Sequence, residues 1–273
     1  MRRILALILA VTLAGALPVA AQTIVSRGQS FVTAQVLPGE MKSDGTRLAG
    51  LALELTPGWK TYWRSPGPAG IPPRLDWSGS ENLAAARLHW PTPAVFTSFG
   101  LTTIGYADRV LLPVELTPED PEKPIAVDLA LELGVCRDIC VFEHVTLTAT
   151  LPPDLARHGS AIEAALALRP SPGPEAGLVS ATCRITGQGG KRGFTATLTF
   201  DREIAGAKVL LEGPKDVWLH GASTAPSGTQ TLEVTAKLDL LSDTAWVSRK
   251  SIRMTVLGPD WAADIQGCNA PRG

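Results

Sequence analysis

The chain has 273 residues, with 25 basic against 26 acidic side chains, so its formal charge is −1. That balance excludes a nucleic-acid partner, which needs a basic stripe to meet phosphates. Apolar residues make up 45%, enough for a packed core, and rule out wholesale disorder. Glycine (26) and proline (22) both exceed average usage, which points to turn-rich β structure.

Arg2 and Arg3 precede an apolar run from Ile4 to Leu17, followed by Pro18-Val19-Ala20-Ala21-Gln22. This is the layout of a secretory signal peptide over residues 1–21, with cleavage expected after Ala21. The run is too short for a spanning helix, and no other stretch has the length and freedom from charge. The expectation is therefore export, with no transmembrane segment in the mature chain, into a compartment where disulfides persist.

Period-two alternation begins after Phe31 and predicts half-buried strands. It is seen at Leu51, Leu53 and Leu55, across Arg109 to Leu116, and most cleanly from Ile125 to Leu133. A further strand is predicted from Val145 to Leu151, leaving Gly134 to Glu143 as a connection that holds Cys136 and Cys140. Ser160-Ala161-Ile162-Glu163 has the spacing of a capping box that opens a short helix to about Leu168.

Pro170-Ser171-Pro172-Gly173-Pro174 follows as a stiff linker, placing a domain boundary between 22–169 and 170–273. About seven strands are predicted beyond it: 178–185, 194–200, 207–212, 216–220, 232–238, 244–248 and 252–256. The expected fold is all-β, with two immunoglobulin-like β-sandwich domains joined by the short helix and Pro-rich linker.

Four cysteines allow three pairings, and the simplest joins Cys136 to Cys140 and Cys183 to Cys268. A loop of ~86 residues makes a strong staple in the chain-entropy treatment, worth ~4.6 kcal/mol, against ~2 kcal/mol for the short one. Cys136-Arg137-Asp138-Ile139-Cys140 makes better sense as a dithiol kept for exchange, or else as an inert hairpin bridge. Cys136, Cys140 and His144 also recur every four residues, which opens a Cu(I) or Zn²⁺ reading if the segment were continuous.

Trp59, Tyr62, Trp63, Trp77 and Trp90 cluster among prolines and glycines, where a buried scaffold is favoured over an exposed stacking platform. Gly187-Gln188-Gly189-Gly190-Lys191 lacks phosphate-loop spacing and is expected to be a turn. Neither a metalloprotease nor a Gly-x-Ser-x-Gly motif occurs, so hydrolase chemistry has no support.

Several segments, in order, resemble the N-terminal periplasmic domain of the DsbD/ScsB thiol:disulfide interchange proteins. They are Gly58-Trp59-Lys60-Thr61-Tyr62-Trp63-Arg64-Ser65-Pro66-Gly67, Ile71-Pro72-Pro73, Trp90-Pro91-Thr92-Pro93 and Gly105-Tyr106. Val110-Leu111-Leu112-Pro113-Val114 and Val135-Cys136-Arg137-Asp138-Ile139-Cys140 complete the set. The likeness covers roughly residues 30–150, closer to the ScsB side, and is looser beyond.

The resemblance implies an immunoglobulin-like protein thiol:disulfide oxidoreductase that needs no bound cofactor. Its partners would be a membrane thiol:disulfide electron-transfer protein and periplasmic thioredoxin-like or substrate proteins. Cys140 would be the sulfur attacked and Cys136 the resolving one. A cap loop would fall at Phe96-Thr97-Ser98-Phe99-Gly100, with Phe99 aligned to the capping aromatic and Phe96 beside it. A link to copper tolerance also follows from the ScsB likeness.

Two departures stand out: Val141-Phe142-Glu143 replaces a proline common after the second cysteine, and the chain has neither electron channel nor Cys-x-x-Cys motif. The expectation is a module that works with separate partners. The rivals are a non-catalytic β-sandwich binding module with structural disulfides, and a Cu(I)-binding copper-tolerance protein.

Overall fold

The computed structural model describes residues 22–24, 30–98, 101–188 and 191–271. The expected leader, residues 1–21, lies outside the described residues, as do Phe99 and Gly100 of the expected cap loop.

The first group of strands is β1 (Gln22–Ile24), β2 (Val32–Met41), β3 (Arg47–Leu55), β4 (Lys60–Tyr62), β5 (Arg74–Asp76) and β6 (Ala85–Leu88). It continues with β7 (Ala94–Ser98), β8 (Leu101–Ala107), β9 (Arg109–Thr117), β10 (Ile125–Cys136) and β11 (Cys140–Leu151). Helix α1 (Gly159–Ala167) follows, then β12 (Ser171–Pro172), β13 (Leu178–Gln188), β14 (Lys191–Phe200) and β15 (Lys208–Glu212). The chain ends with β16 (Val217–Pro226), β17 (Thr231–Leu240), β18 (Arg253–Leu257) and β19 (Ala262–Gln266).

One sheet runs β1-β11-β10-β4-β8-β7, with β5 also on β10, and faces a second of order β2-β3-β9-β6. Inward residues of both meet in one core: Leu51 and Leu53 from β3, Leu112 and Val114 from β9, Leu129 and Leu131 from β10, Leu147 from β11. Two further sheets, β12-β19-β18-β15 and β13-β14-β17-β16, enclose a separate core around Phe194, Leu198, Val234, Met254 and Ile265. The alternation in sequence becomes alternation in burial, as along β11, where Val145 and Leu147 face inward and His144 and Thr146 outward. This is an all-β, immunoglobulin-like arrangement of sheet on sheet.

Helix α1 packs on the first pair of sheets through Ile162 (0% exposed) and Ala165. It approaches closely because Gly39 has no side chain: a Cβ there would meet Leu48 O at 2.4 Å and Ile162 Cδ1 at 3.0 Å. Fully buried Arg47 donates to the carbonyls of Gly39, Pro152 and Leu155, and so ties the segment leading to the helix onto β3. The capping box expected at Ser160 does not form. His158 is the N-cap, without a side-chain cap, and Ser160 falls inside the first turn because burial of Ile162 sets where the helix lies.

Three further expectations change. The proline-rich segment is not a bare linker, since Ser171 and Pro172 pair in parallel with Ala263 and Asp264. A proline is tolerated there because β12 is an edge strand. Residues 244–248 form no strand but lead into a 3-10 turn at Arg249–Ser251, capped reciprocally by Ser248 and Ser251. Strand β19 was not expected: Trp261-Ala262-Ala263-Asp264-Ile265-Gln266 lacks alternation because Ala262 and Ala263 are both buried. The turn expected at 187–191 is bracketed by the pair Gln188 and Lys191, with 189–190 outside the described residues.

Candidate redox site

Strands β10 and β11 form one long antiparallel hairpin, and both run further than their alternation suggests. Twelve registered pairs extend from Ile125↔Leu151 to Cys136↔Cys140, leaving only Arg137-Asp138-Ile139 as the connection. Alternation fades from Gly134 to Cys136 because the Ile71 and Tyr62 side chains lie over Gly134, and β4 pairs alongside, Thr61 with Val135 and Lys60 with Cys136. Gly134 is needed there. A Cβ would lie 2.8 Å from Ile71 Cβ and 3.0 Å from Tyr62 Cε2.

The hairpin brings Cys136 and Cys140 into a disulfide, with Cα atoms 4.2 Å apart. The two residues have unequal surroundings. Cys136 is 2% exposed and ends the buried strand, whereas Cys140 opens β11 and is exposed. Tyr62, itself 3% exposed, places its hydroxyl 2.8 Å from the Cys136 sulfur and 3.4 Å from that of Cys140. Disulfide sulfurs carry no proton, so the phenol donates. Burial pushes the Tyr62 pKa up, which keeps it a donor at neutral pH.

The rim of the site is apolar and cationic. Phe31 stacks on Trp59 with ring centroids 3.8 Å apart, and Arg137 lies 5.6 Å from the Trp59 ring centre while pairing with exposed Asp138 at 2.9 Å. Phe31, Thr56 and Trp59 line a shallow depression with Arg137, Asp138 and Ile139. Ile139 and Phe142 are 67% and 62% exposed on the flank. Buried Glu143, where a proline was noted as missing, accepts from Phe31 N at 2.9 Å and from Ser30 Oγ at 3.1 Å. It thereby ties the start of β2 to the hairpin that carries the cysteines.

Of the expected cap residues, half-buried Phe96 sits on β7, opposite Thr103, with Lys60 Nζ 5.1 Å from its ring centre. Strand β7 forms the edge of its sheet, pairing with β8, which pairs in turn with β4 beside the disulfide. Phe99 lies outside the described residues.

His144 does not join the cysteines. It lies four residues along β11 from Cys140, a separation of ~13 Å on an extended strand, and pairs across the hairpin with Glu132. Among the described residues no group of three or more His, Cys, Asp and Glu side chains is placed to hold a metal. Cys183 on β13 is bonded to Cys268, just past β19, so this bridge ties strand to tail. The aromatic cluster is scaffold: Trp59, Tyr62 and Trp63 are buried, and Trp77 and Trp90 pack against the first core.

Sequence reasoning placed Tyr62 within a motif and an aromatic cluster, but gave no signal that its hydroxyl faces the sulfurs. That contact depends on β4 lying beside β10, a long-range pairing. The same holds for Glu143, and for Arg64, which reaches Glu212 in the second group of strands.

Chemically, a short hairpin disulfide with one exposed and one buried cysteine, and a proton donor nearer the buried sulfur, suits thiol–disulfide exchange. Attack on the exposed sulfur expels the other as a thiolate, and a neighbouring donor stabilises that charge.

The comparisons agree with this geometry. Residues 30–152 match the family described as thiol:disulfide interchange protein DsbD, N-terminal. The crystal structure of the N-terminal periplasmic domain of ScsB from Proteus mirabilis aligns with a TM-score of 0.72 at 20% identity, over 92% of this chain and 98% of that one. At that identity the match establishes a shared fold. A conserved domain protein from Bacillus anthracis, at 10% identity over 88% of this chain and 76% of that one, reaches only 0.25, too low to carry an argument. The comparison with curated protein sequences finds no match. Among the described residues no helix is long and apolar enough to cross a membrane. Over residues 30–152, then, the chain is similar to the N-terminal domain of the thiol:disulfide interchange protein DsbD.

Proposed function

We propose that this chain is a periplasmic thiol:disulfide interchange module. In this reading, Cys136–Cys140 passes reducing equivalents between a membrane electron donor and periplasmic thioredoxin-like or substrate proteins. The observation that carries it is the asymmetry of the disulfide. Cys140 is exposed, while buried Cys136 has the Tyr62 hydroxyl 2.8 Å from its sulfur.

In the first step a partner thiolate attacks Cys140 Sγ, the intramolecular S–S bond breaks, and Cys136 leaves as a thiolate held by the Tyr62 hydroxyl. The partner's second thiolate then attacks its own sulfur in the mixed disulfide. That releases Cys140, leaves the partner oxidised, and transfers two electrons to this chain. The resulting dithiol, with its thiolates protonated from solvent as required, reduces a target disulfide by the same steps reversed. The chemistry lies wholly in sulfur and needs no bound cofactor. Phe96 on β7, and Phe99 after it, would form the lid that shields the pair until a partner displaces it.

Residues 22–169 form the redox domain and 170–273 a second immunoglobulin-like domain, stapled by Cys183–Cys268. Residues 1–21 are the cleaved leader that delivers both to the periplasm. The rival of a non-catalytic binding module predicts two inert bridges. The copper rival needs His144 beside the cysteines, and ~13 Å of strand separates it from Cys140.

The test compares two single variants. In Cys136→Ala, Cys140 is left as an exposed thiol and reacts rapidly with an aromatic disulfide reagent. In Cys140→Ala, buried Cys136 reacts at least ~10-fold more slowly. Equally slow reaction of both overturns the assignment of Cys140 as the attacked sulfur.

A further inference from the structure

The strand that presents Tyr62 to the disulfide is very short. β4 has three residues; it meets β10 through two registered pairs, Thr61 with Val135 and Lys60 with Cys136, and β8 through three. Ladders of two and three pairs leave the setting of a side chain partly to whatever holds the strand's ends. At the leading end, Trp59 is stacked on Phe31. At the trailing end, fully buried Trp63 donates its backbone N–H to Ile104 O, and the Arg64 guanidinium lies 3.9 Å from the Trp63 ring centre.

Arg64 is held from outside the first core. Its Nε and Nη2 donate to both carboxylate oxygens of Glu212 at 2.9 and 2.8 Å, and Nη2 lies 3.5 Å from Thr255 Oγ1. Both charged side chains are only 16% exposed. Two-point geometry with little solvent distinguishes this pair from an ordinary surface ion pair. Glu212 ends β15 and is registered against Arg253 of β18, which in turn pairs with Asp264 of β19. The backbone that carries the carboxylate is thus placed by the β15–β18 ladder of the second group of strands. Leu210, two residues earlier on β15, packs against the first core.

We infer that Glu212 and Arg64 are positioning residues for the redox site, through which the second group of strands holds Tyr62 at the sulfurs. This rests on the exchange reading above. Without Glu212 the guanidinium loses its anchor over Trp63, the trailing end of β4 loosens, and the Tyr62 hydroxyl spends less time at Cys136 Sγ. A phenol hydrogen bond stabilises the Cys136 thiolate more than the disulfide, so loosening it disfavours the opened form.

The experiment equilibrates the full exported chain with dithiothreitol at neutral pH and reads each disulfide separately by thiol trapping. Glu212→Gln lowers the equilibrium constant for opening Cys136–Cys140 about threefold, with Cys183–Cys268 unchanged. Arg64→Lys, which keeps the charge but loses the fork, has the same effect and serves if Glu212→Gln folds poorly. In a Tyr62→Phe background, Glu212→Gln causes no further loss, because the residue acts through that hydroxyl. A wild-type equilibrium in both folded variants overturns the inference, as does full additivity with Tyr62→Phe. A wild-type Cys136–Cys140 bridge that never opens overturns the exchange reading instead, and the inference with it.

Discussion

The Tyr62 hydroxyl and the Cys136 sulfur, 74 residues apart in sequence, lie 2.8 Å apart at the buried end of a hairpin. In the proposed exchange the contact gives the bridge a direction: the sulfur with the donor would be the better leaving group, and the exposed one the better target.

Removing that donor should therefore be felt in redox chemistry more than in stability. Hydrogen bonds to charged groups contribute ~1.5–3 kcal/mol, so Tyr62→Phe should lower the equilibrium constant for opening the bridge by about tenfold or more. The Cys136 thiol pKa should rise in the same variant. Thiol trapping in graded dithiothreitol, repeated across pH, reads both effects.

Glu143 should matter through Phe31. Its carboxylate accepts from Phe31 N and Ser30 Oγ, and Phe31 stacks on Trp59 beside the loop. Glu143→Ala strands the Phe31 N–H, while Ser30 Oγ can still donate to Val32 O, and should cost ~2 kcal/mol in urea unfolding; Glu143→Gln, which keeps an acceptor oxygen, should cost less. A shift in tryptophan emission should accompany the loss, reporting Trp59.

A pH dependence should arise at His89. It is 7% exposed, Arg169 Nη1 lies 2.9 Å from Nδ1, and Glu115 Oε2 lies 3.1 Å from Nε2 but out of line for a well-formed hydrogen bond. Arg87 approaches the same carboxylate at 4.0 Å and Lys42 at 2.8 Å. Burial lowers the His89 pKa, and Arg169 and Arg87 add to this against the opposing pull of Glu115. The folded chain then resists a proton that the unfolded chain takes up below ~6.5. This contribution to stability is present above that pH and is lost as pH falls through the interval down to the folded pKa. Urea midpoints should fall from pH 7.5 to pH 5.5 in the wild type, and fall less in His89→Gln.

Loss of the long bridge should affect stability alone. Cys183–Cys268 spans 85 residues, and its removal should cost ~4 kcal/mol in the chain-entropy treatment. The double variant Cys183→Ala/Cys268→Ala should unfold at lower denaturant yet keep the opening equilibrium of Cys136–Cys140, if the second core still forms at working temperature.

Alternation made much of this fold legible, because a residue's neighbours two places away share its face. Leu129, Leu131 and Leu133 on β10, and Val145 and Leu147 on β11, read directly from sequence as core. The same rule failed where both faces are covered. Gly134 to Cys136 looked like connection because the side chains of Ile71 and Tyr62 close over Gly134 there, and β19 was silent because Ala262 and Ala263 are both inside. The cysteine pair was legible from spacing, whereas its donor was not. Tyr62 meets Cys136 only after β4 docks on β10, and no local pattern encodes that pairing. Residues 244–248 misled for the opposite reason, since they carry Trp246 without a neighbouring strand to cover it, and the side chain stays 72% exposed.

The central claim is that the two bridges differ in kind, and the most direct test is the reduction potential of each. Graded redox buffers with thiol trapping and mass spectrometry resolve the two in one sample. The account predicts that Cys136–Cys140 opens well above about −300 mV while Cys183–Cys268 stays closed. If both bridges resist reduction alike, the short one is structural, and thiol exchange is not what this protein does.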